Sequence, residues 1–400
     1  MSNTLLTIGD ITNEALAVLE NQLMFTKHVN RTYDDRYGKE GAKIGDTANI
    51  RKPARFEGRR TPTINVEGFE ESSVALTLDT QYGCDVSFTT KELTLDIDEF
   101  SSRILAPQIA TVANMIDYDG MQLYKDIYNS VGTPGVTPAT NLVYLNAGVK
   151  LDNEAAPRDG NRAVVMNPQA QATIVNANSS LFNPTQVLSE QYTTGTMGIA
   201  NGFKNEMDQN VGVHTVGVHA GTPLVNGAVS SGSTIVTDGW VAANTLTHGD
   251  VFTVAGVYAV NPQNRQSTGQ LRQFVVTSLA TADVSGNMTI GVYPAIVTSG
   301  KDQTVNAGLA NNAAITVVGT TGIVTPQNLA FHRDAFAFAT ADLELPKGVW
   351  MAKRVKSDRL GVSMRCVKAY DITNDRAPMR IDVLGGWKTI RAELATRVQG

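Results

Sequence analysis

Apolar residues recur at Ile109, Val112, Ala113, Ile116, Gly120, Leu123 and Ile127. These spacings keep one stripe of a helix facing a core over about five turns. They predict a long spine helix. Pro107 is tolerated in a first turn but not in a helix interior, so the helix starts near Ala106, or kinks there if it begins at Glu99. Asn167-Pro168 and Asn183-Pro184 announce two further short helices, with Asn capping orphan backbone donors and Pro in the first helical position.

The other segments follow a period nearer two. Ala48 to Phe56 and Thr63 to Thr77 alternate loosely around Gly58-Arg59-Arg60-Thr61-Pro62, which predicts two long antiparallel arms of a hairpin. Between Thr222 and Thr325 there are short alternating runs, Val251 to Val257 and Phe274 to Ser278, bounded by Gly, Asn or Asp. That block holds only seven charged residues in 104 positions, roughly a third of the density elsewhere. It reads as a separately folded β insertion with Trp240, Phe252, Tyr258, Phe274 and Tyr293 for its core, and its flanking segments must then meet in space. Ala335 to Thr340, Val362 to Tyr370 and Met379 to Val383 read as strands, and Trp387 to Ala395 as a final helical piece. The fold class is α+β with a β insertion, without internal repeats.

Composition narrows the functional classes. Of 400 residues, 42% are hydrophobic and 18% charged, enough to bury sizeable cores. A net charge of -5 gives no global basic field for gripping nucleic acid. Cys84 and Cys366 fit no disulfide framework or zinc spacing, so a reducing, cytoplasmic folding compartment is expected. The N-terminal stretch lacks a cationic region ahead of an apolar one, and no run is long enough to span a bilayer, which predicts a soluble chain.

Catalytic and metal-binding patterns are missing from the sequence. His214 and His219 lie five apart, which suits neither one strand face nor the helical metal pair. His28, His248 and His332 have no acidic or thiol residue directly adjacent in sequence. No nucleophile elbow, phosphate loop or zincin motif occurs. Asp34-Asp35 and Glu70-Glu71 are adjacent carboxylates that point apart in extended chain. Phe336 and Phe338 share a strand face without interleaved basic residues, a core pattern rather than a stacking platform. The expectation is no enzyme, no cofactor and no metal.

The predicted hairpin is polarised. Arg51, Lys52, Arg55, Arg59 and Arg60 crowd the first arm and the tip, with Glu57 among them, while Glu67, Glu70 and Glu71 follow on the return arm. An isolated two-stranded ribbon is marginal by itself, and a dipolar one gains from lying across a neighbour of complementary charge. These eight charged residues, Glu57 aside, are the candidate intersubunit contacts.

Six stretches taken together resemble the major capsid proteins of tailed bacteriophages, the Hong Kong 97-like fold, in the coat-protein branch that carries an inserted β-domain. They are LAPQIATVANMID from Leu105, RAVVMNPQAQATIV, GFKNEMDQNVGVHTVG, GDVFTVAGVYAVNPQNRQSTGQLRQFVVT, NLAFHRDAFAFATADLELP and YDITNDRAPMRIDVLGGWKTIRAELATRV. The resemblance implies an N-terminal arm at 1–45, an extended loop at 46–90, a peripheral domain with the spine helix at 91–165 and an axial domain at 166–221. It implies an inserted small β-barrel at 222–325, with 326–400 completing the peripheral and axial domains. It also implies hexamers and pentamers of an icosahedral shell around double-stranded DNA, assembled in the host cytoplasm with a scaffolding protein and a portal protein, and in some cases a decoration protein. No Lys/Asn pair is assignable to a covalent crosslink, so assembly is expected to be noncovalent. Two other readings are a cell-surface adhesion protein displaying the β-domain and an encapsulin-like cargo compartment.

Overall fold

The spine helix forms where the apolar stripe places it. In the computed structural model it runs Ala106–Met121, with Pro107 in its first turn and with Ile109, Val112, Ala113 and Ile116 fully buried. The structure describes residues 14–19, 22–31, 47–64, 66, 68, 71–89, 104–177, 195, 197–357 and 361–400. Asn183-Pro184, Asp34-Asp35, Glu67, Glu70 and much of 1–45 lie outside the described residues. The helix is shorter than its periodicity predicts. After Met121 the chain tightens into a 3-10 turn, Gln122–Asp126, and is extended by Ile127. The segment that follows is recruited by the strand holding Arg397: the Ile127 carbonyl accepts from the buried Arg397 guanidinium, Asn129 O accepts the Arg397 N–H at 2.8 Å, and Ser130–Gly132 pairs in parallel with Arg397–Gln399.

The chain divides into two compact units, one of Met1–Ile50, Ser73–Gly120 and Phe336–Ile390, the other of Arg51–Ser72, Met121–Ala335 and Arg391–Gly400. In the first, strand Arg376–Thr389 is the organising element. Phe336–Ala341, Ser363–Lys368 and Thr80–Thr89 all pair with it, and Met351–Lys356 pairs with Ser363–Lys368. Gly120 on the helix is fixed by close approach, since a Cβ there would fall 2.7 Å from the Trp387 ring and 2.8 Å from that of Phe25. Asp117, one turn earlier and buried, accepts backbone N–H bonds from Met24, Phe25 and Thr26, tying the N-terminal segment to the helix.

The predicted helix at Trp387–Ala395 is not formed. Trp387 belongs to the long strand, directly opposite Phe338, with ring centroids 4.5 Å apart, and cross-strand aromatic pairing outweighs the local helical pattern. Only Ala392–Leu394 makes a 3-10 turn, before strand Ala395–Gln399. Phe336 and Phe338 are buried, in keeping with the core pattern. Cys84 and Cys366 both lie opposite Ile381, in the strands flanking it on either side. Two strand spacings, about 10 Å, put their sulfurs beyond disulfide reach.

The second unit holds a seven-stranded sheet in the order Ser130–Gly132, Ala395–Gln399, Val324–His332, Arg162–Met166, Phe203–Met207, Ile199–Ala200, with Val213–Thr215 on the early part of Val324–His332. Helix Pro168–Ala177 begins as the Asn-Pro signal predicts: Asn167 Oδ1 accepts the Ala170 N–H at 2.9 Å and Pro168 opens the helix. The segments that flank the insertion are paired, Thr215 opposite Val324 and His214 opposite Thr325, so they do meet.

The insertion is a six-stranded antiparallel sheet whose edges join. The order is Ile315–Val317, Val251–Val260, Ser267–Val276, Met288–Val297, Ser231–Trp240, Gly221–Val225. Val225 N–H donates to Ala313 O at 3.0 Å and Asn312 N–H to Val225 O at 2.8 Å, closing a small barrel. Its core holds Trp240, Phe252, Phe274, Ile290 and Ile296, with Phe252 directly opposite Phe274. Two of the five predicted core aromatics lie elsewhere. A register shift between Thr253 and Tyr258 breaks the alternation and leaves Tyr258 37% exposed, and Tyr293 packs against Tyr128, outside the barrel.

Candidate functional site

The extended loop is less regular than its sequence predicts. Its ladder pairs only Thr47–Arg51 with Ser73–Thr77, prolonged by one bond from Lys52 N–H to Ser72 O at 2.8 Å. Pro53 follows and has no N–H to continue it. Among the described residues of 52–72 there is no strand. In place of long antiparallel arms, the described residues form a short stem and run on without strands beyond it.

The structure distributes the candidate contact residues along this loop. Arg51 pairs with Glu71 at the stem at 2.9 Å, both side chains exposed. Arg55 reaches Glu393 at 3.3 Å, and Arg391 approaches the same carboxylate at 3.0 Å. Burial alone would raise the Glu393 pKa, but Arg391, a backbone bond and Arg55 outweigh it and hold the carboxyl below its ordinary range. The half-buried Lys52 ammonium beside them is lowered, first by burial and further by Arg391 and Arg55, against the pull of Glu393. Arg59 folds back onto the Thr61 carbonyl at 2.6 Å, and Arg60 is exposed at the tip. Glu67 and Glu70 lie outside the described residues.

The loop opens onto a polar cleft of about 660 Å³ whose lining includes Lys52, Arg55, Tyr128, Arg272, Tyr293 and Glu393. At its base, Arg272 of the insertion pairs with Glu154 at 2.6 Å, both nearly buried, and its guanidinium sits 4.4 Å from the Tyr128 ring centroid. Gln273 brackets Ser130, accepting its N–H at 2.9 Å and donating to its carbonyl at 3.0 Å. At the other root, buried Asp250 accepts from Thr247 N–H at 2.6 Å and Gly217 N–H at 3.1 Å, with the His214 imidazole at 2.8 Å. Arg397, wholly buried, donates to Gly249 O at 2.7 Å and Ile127 O at 2.8 Å, and burial brings its pKa down to about 10 against the opposing pull of Tyr124 and Asp250. Polar side chains thus seat the barrel on its parent sheet.

His214 meets the Asp250 carboxylate at 2.8 Å and His219 the Gly217 carbonyl at 3.0 Å, so the two close histidines serve separate local structures, while His332 lies against Asp159. Among the described residues no group of three or more His, Cys, Asp or Glu is placed to hold a metal, and no described helix is long and apolar enough to cross a membrane. Sequence reasoning missed Arg265, Arg272, Lys301, Glu393 and Arg397. For Arg265, Arg272 and Lys301 the available signal was rarity, since they are the three Lys and Arg residues of a charge-poor block; Glu393 and Arg397 carried no such signal.

A family model described as "P22 coat protein - gene protein 5" matches residues 3–399. The chain belongs to this coat protein family. It is a structural subunit of an icosahedral phage capsid, it self-assembles into an oligomeric shell, and its place is the virion capsid. The adhesion and cargo-compartment readings gain no support from that membership. Solved structures with similar shapes include one titled "Mycobacterium phage Che8", 12% identical over 94% of this chain and 90% of that chain, TM-score 0.48. Another is the capsid of Ralstonia phage GP4, 10% identical over 93% and 86% of the two chains, TM-score 0.47. The CUS-3 coat protein I-domain is 23% identical and covers 25% of this chain and 98% of its own, TM-score 0.20. A search of curated proteins returned no match.

Proposed function

We propose that this coat-family subunit closes into hexamers and pentamers around packaged double-stranded DNA, with the loop at 46–90 as the arm that each subunit lays on its neighbour. One observation carries the assignment of the arm. Phe56, Ile64 and Val66 are 61%, 74% and 87% exposed on a loop whose described residues beyond the stem lie in no strand, and such a segment gains from burial on a partner. Arg51, Lys52, Arg55, Arg59, Arg60, Glu67, Glu70 and Glu71 supply charges that set its register on that partner. The N-terminal arm at 1–45, peripheral domain at 91–165, axial domain at 166–221, inserted domain at 222–325 and closing segment at 326–400 are the accompanying division. Scaffolding and portal proteins, and a decoration protein where present, are its expected partners, with assembly in the host cytoplasm. A net charge of -5 suits a shell that holds DNA without gripping it.

The test is co-expression with a scaffolding protein, followed by electron microscopy and sedimentation. Closed particles are expected from the native chain. Reversing Arg59 and Arg60 to Glu is expected to impair assembly while leaving the subunit's unfolding midpoint unchanged, because like-charge contacts cost several kcal/mol across an interface. Elution of the native chain only as a 42.8 kDa monomer, or unchanged yield of the reversed variant at low salt, would contradict the respective claims.

A further inference from the structure

The insertion is nearly free of charge, yet each of its three cations, Arg265, Arg272 and Lys301, reaches beyond the barrel. Arg272 is taken up by Glu154. The other two reach the extended loop. Arg265 donates from Nη2 to the Phe56 carbonyl at 2.6 Å, with its Nε 3.8 Å from the Glu57 carboxylate. Lys301 donates from Nζ to the Gly68 carbonyl at 3.4 Å. Phe56 and Gly68 stand on opposite sides of the Arg59-Arg60 tip, so the two cations hold both limbs of the loop.

The backbone at Arg265 is an independent observation. Its φ is +56°, in the left-handed region that favours glycine, where a long side chain is strained. The turn that imposes this conformation is closed by Asn261 N–H to Gln266 O at 3.0 Å and Arg265 N–H to Asn261 O at 2.9 Å. Asn261 is itself anchored through its side chain to Asn153 O at 2.9 Å. A strained, firmly held residue that spends its side chain on another segment is the pattern of a functional contact.

We propose that Arg265 and Lys301 form an intramolecular latch by which the insertion holds the extended loop on its own subunit and sets the loop's angle before a neighbour receives its tip. Reception by a neighbour rests on the function proposed above; the latch itself does not. Its test is limited trypsin digestion of the unassembled full-length subunit, with cutting at Arg59 and Arg60 quantified by mass spectrometry and thermal unfolding followed in parallel. Arg265→Gly and Lys301→Met together are expected to speed cutting there by about fivefold or more, since cleavage tracks the population of the released loop. The melting temperature should hold or rise, because glycine relieves the strained turn. Arg265→Lys, which keeps the charge, should be cut more slowly than Arg265→Gly. Unchanged cutting in the double variant overturns the latch, and so does faster cutting that only follows a fall in melting temperature. Failure of the assembly reading would appear instead as missing particles from the native chain, with these cutting rates unaffected.

Discussion

The inserted barrel and the extended loop are neighbours in the fold but are built on opposite principles. The barrel closes its own hydrogen-bond ladder and buries its own aromatic core. The loop, beyond its stem, has no ladder among its described residues, exposes its large apolar side chains, and is positioned by Arg265, Lys301 and Glu393. The difference teaches where structural information is stored. A closed β-barrel carries its conformation in its own apolar alternation, whereas the loop carries a charge pattern whose described partners lie in other elements of the chain.

Truncating one aromatic in each region gives the sharpest contrast. Phe252→Ala removes a fully buried ring from the barrel and should cost about 3–5 kcal/mol in urea unfolding. Phe56→Ala, on the loop, should change the free subunit by less than about 0.5 kcal/mol and yet reduce particle yield. Equal costs in the free subunit would erase the distinction.

A smaller effect is expected from acid. The Glu393 carboxyl, held by Arg391 and Arg55, has a folded pKa below its ordinary value of 4.5. A lowered carboxylate contributes stability that is present above the unfolded pKa and is lost as pH falls through the folded one. The unfolding midpoint should therefore drop below about pH 4.5 more steeply in the native chain than in Glu393→Gln, with the two curves converging in strong acid. Parallel curves would detach the loop's root from this ion pair.

The legible parts of the molecule are those with a period. The stripe from Ile109 to Ile116, the Asn167-Pro168 start and the alternation around Val251 each mark an element that forms. Where a local pattern met a tertiary competitor, the competitor prevailed. Trp387 pairs with Phe338 instead of turning into a helix, the Ile127 carbonyl is taken by Arg397, and a register shift turns Tyr258 outward. The candidate contact residues were visible as a charge cluster, but their partners were not. Arg55 and Glu393 are separated by 338 positions, a distance that no periodicity spans.

The division between a self-sufficient barrel and a partner-dependent loop is tested most directly by amide hydrogen exchange on the free subunit and on assembled particles. Barrel strands Val251–Val260 and Ser267–Val276 should be protected alike in both. Amides of residues 54–64, which lie in no strand, should exchange quickly in the free subunit and slow by at least about tenfold in particles, as expected when a segment is buried on a neighbour. Loop amides that exchange equally fast in both states, or barrel amides that become protected only on assembly, would contradict the account.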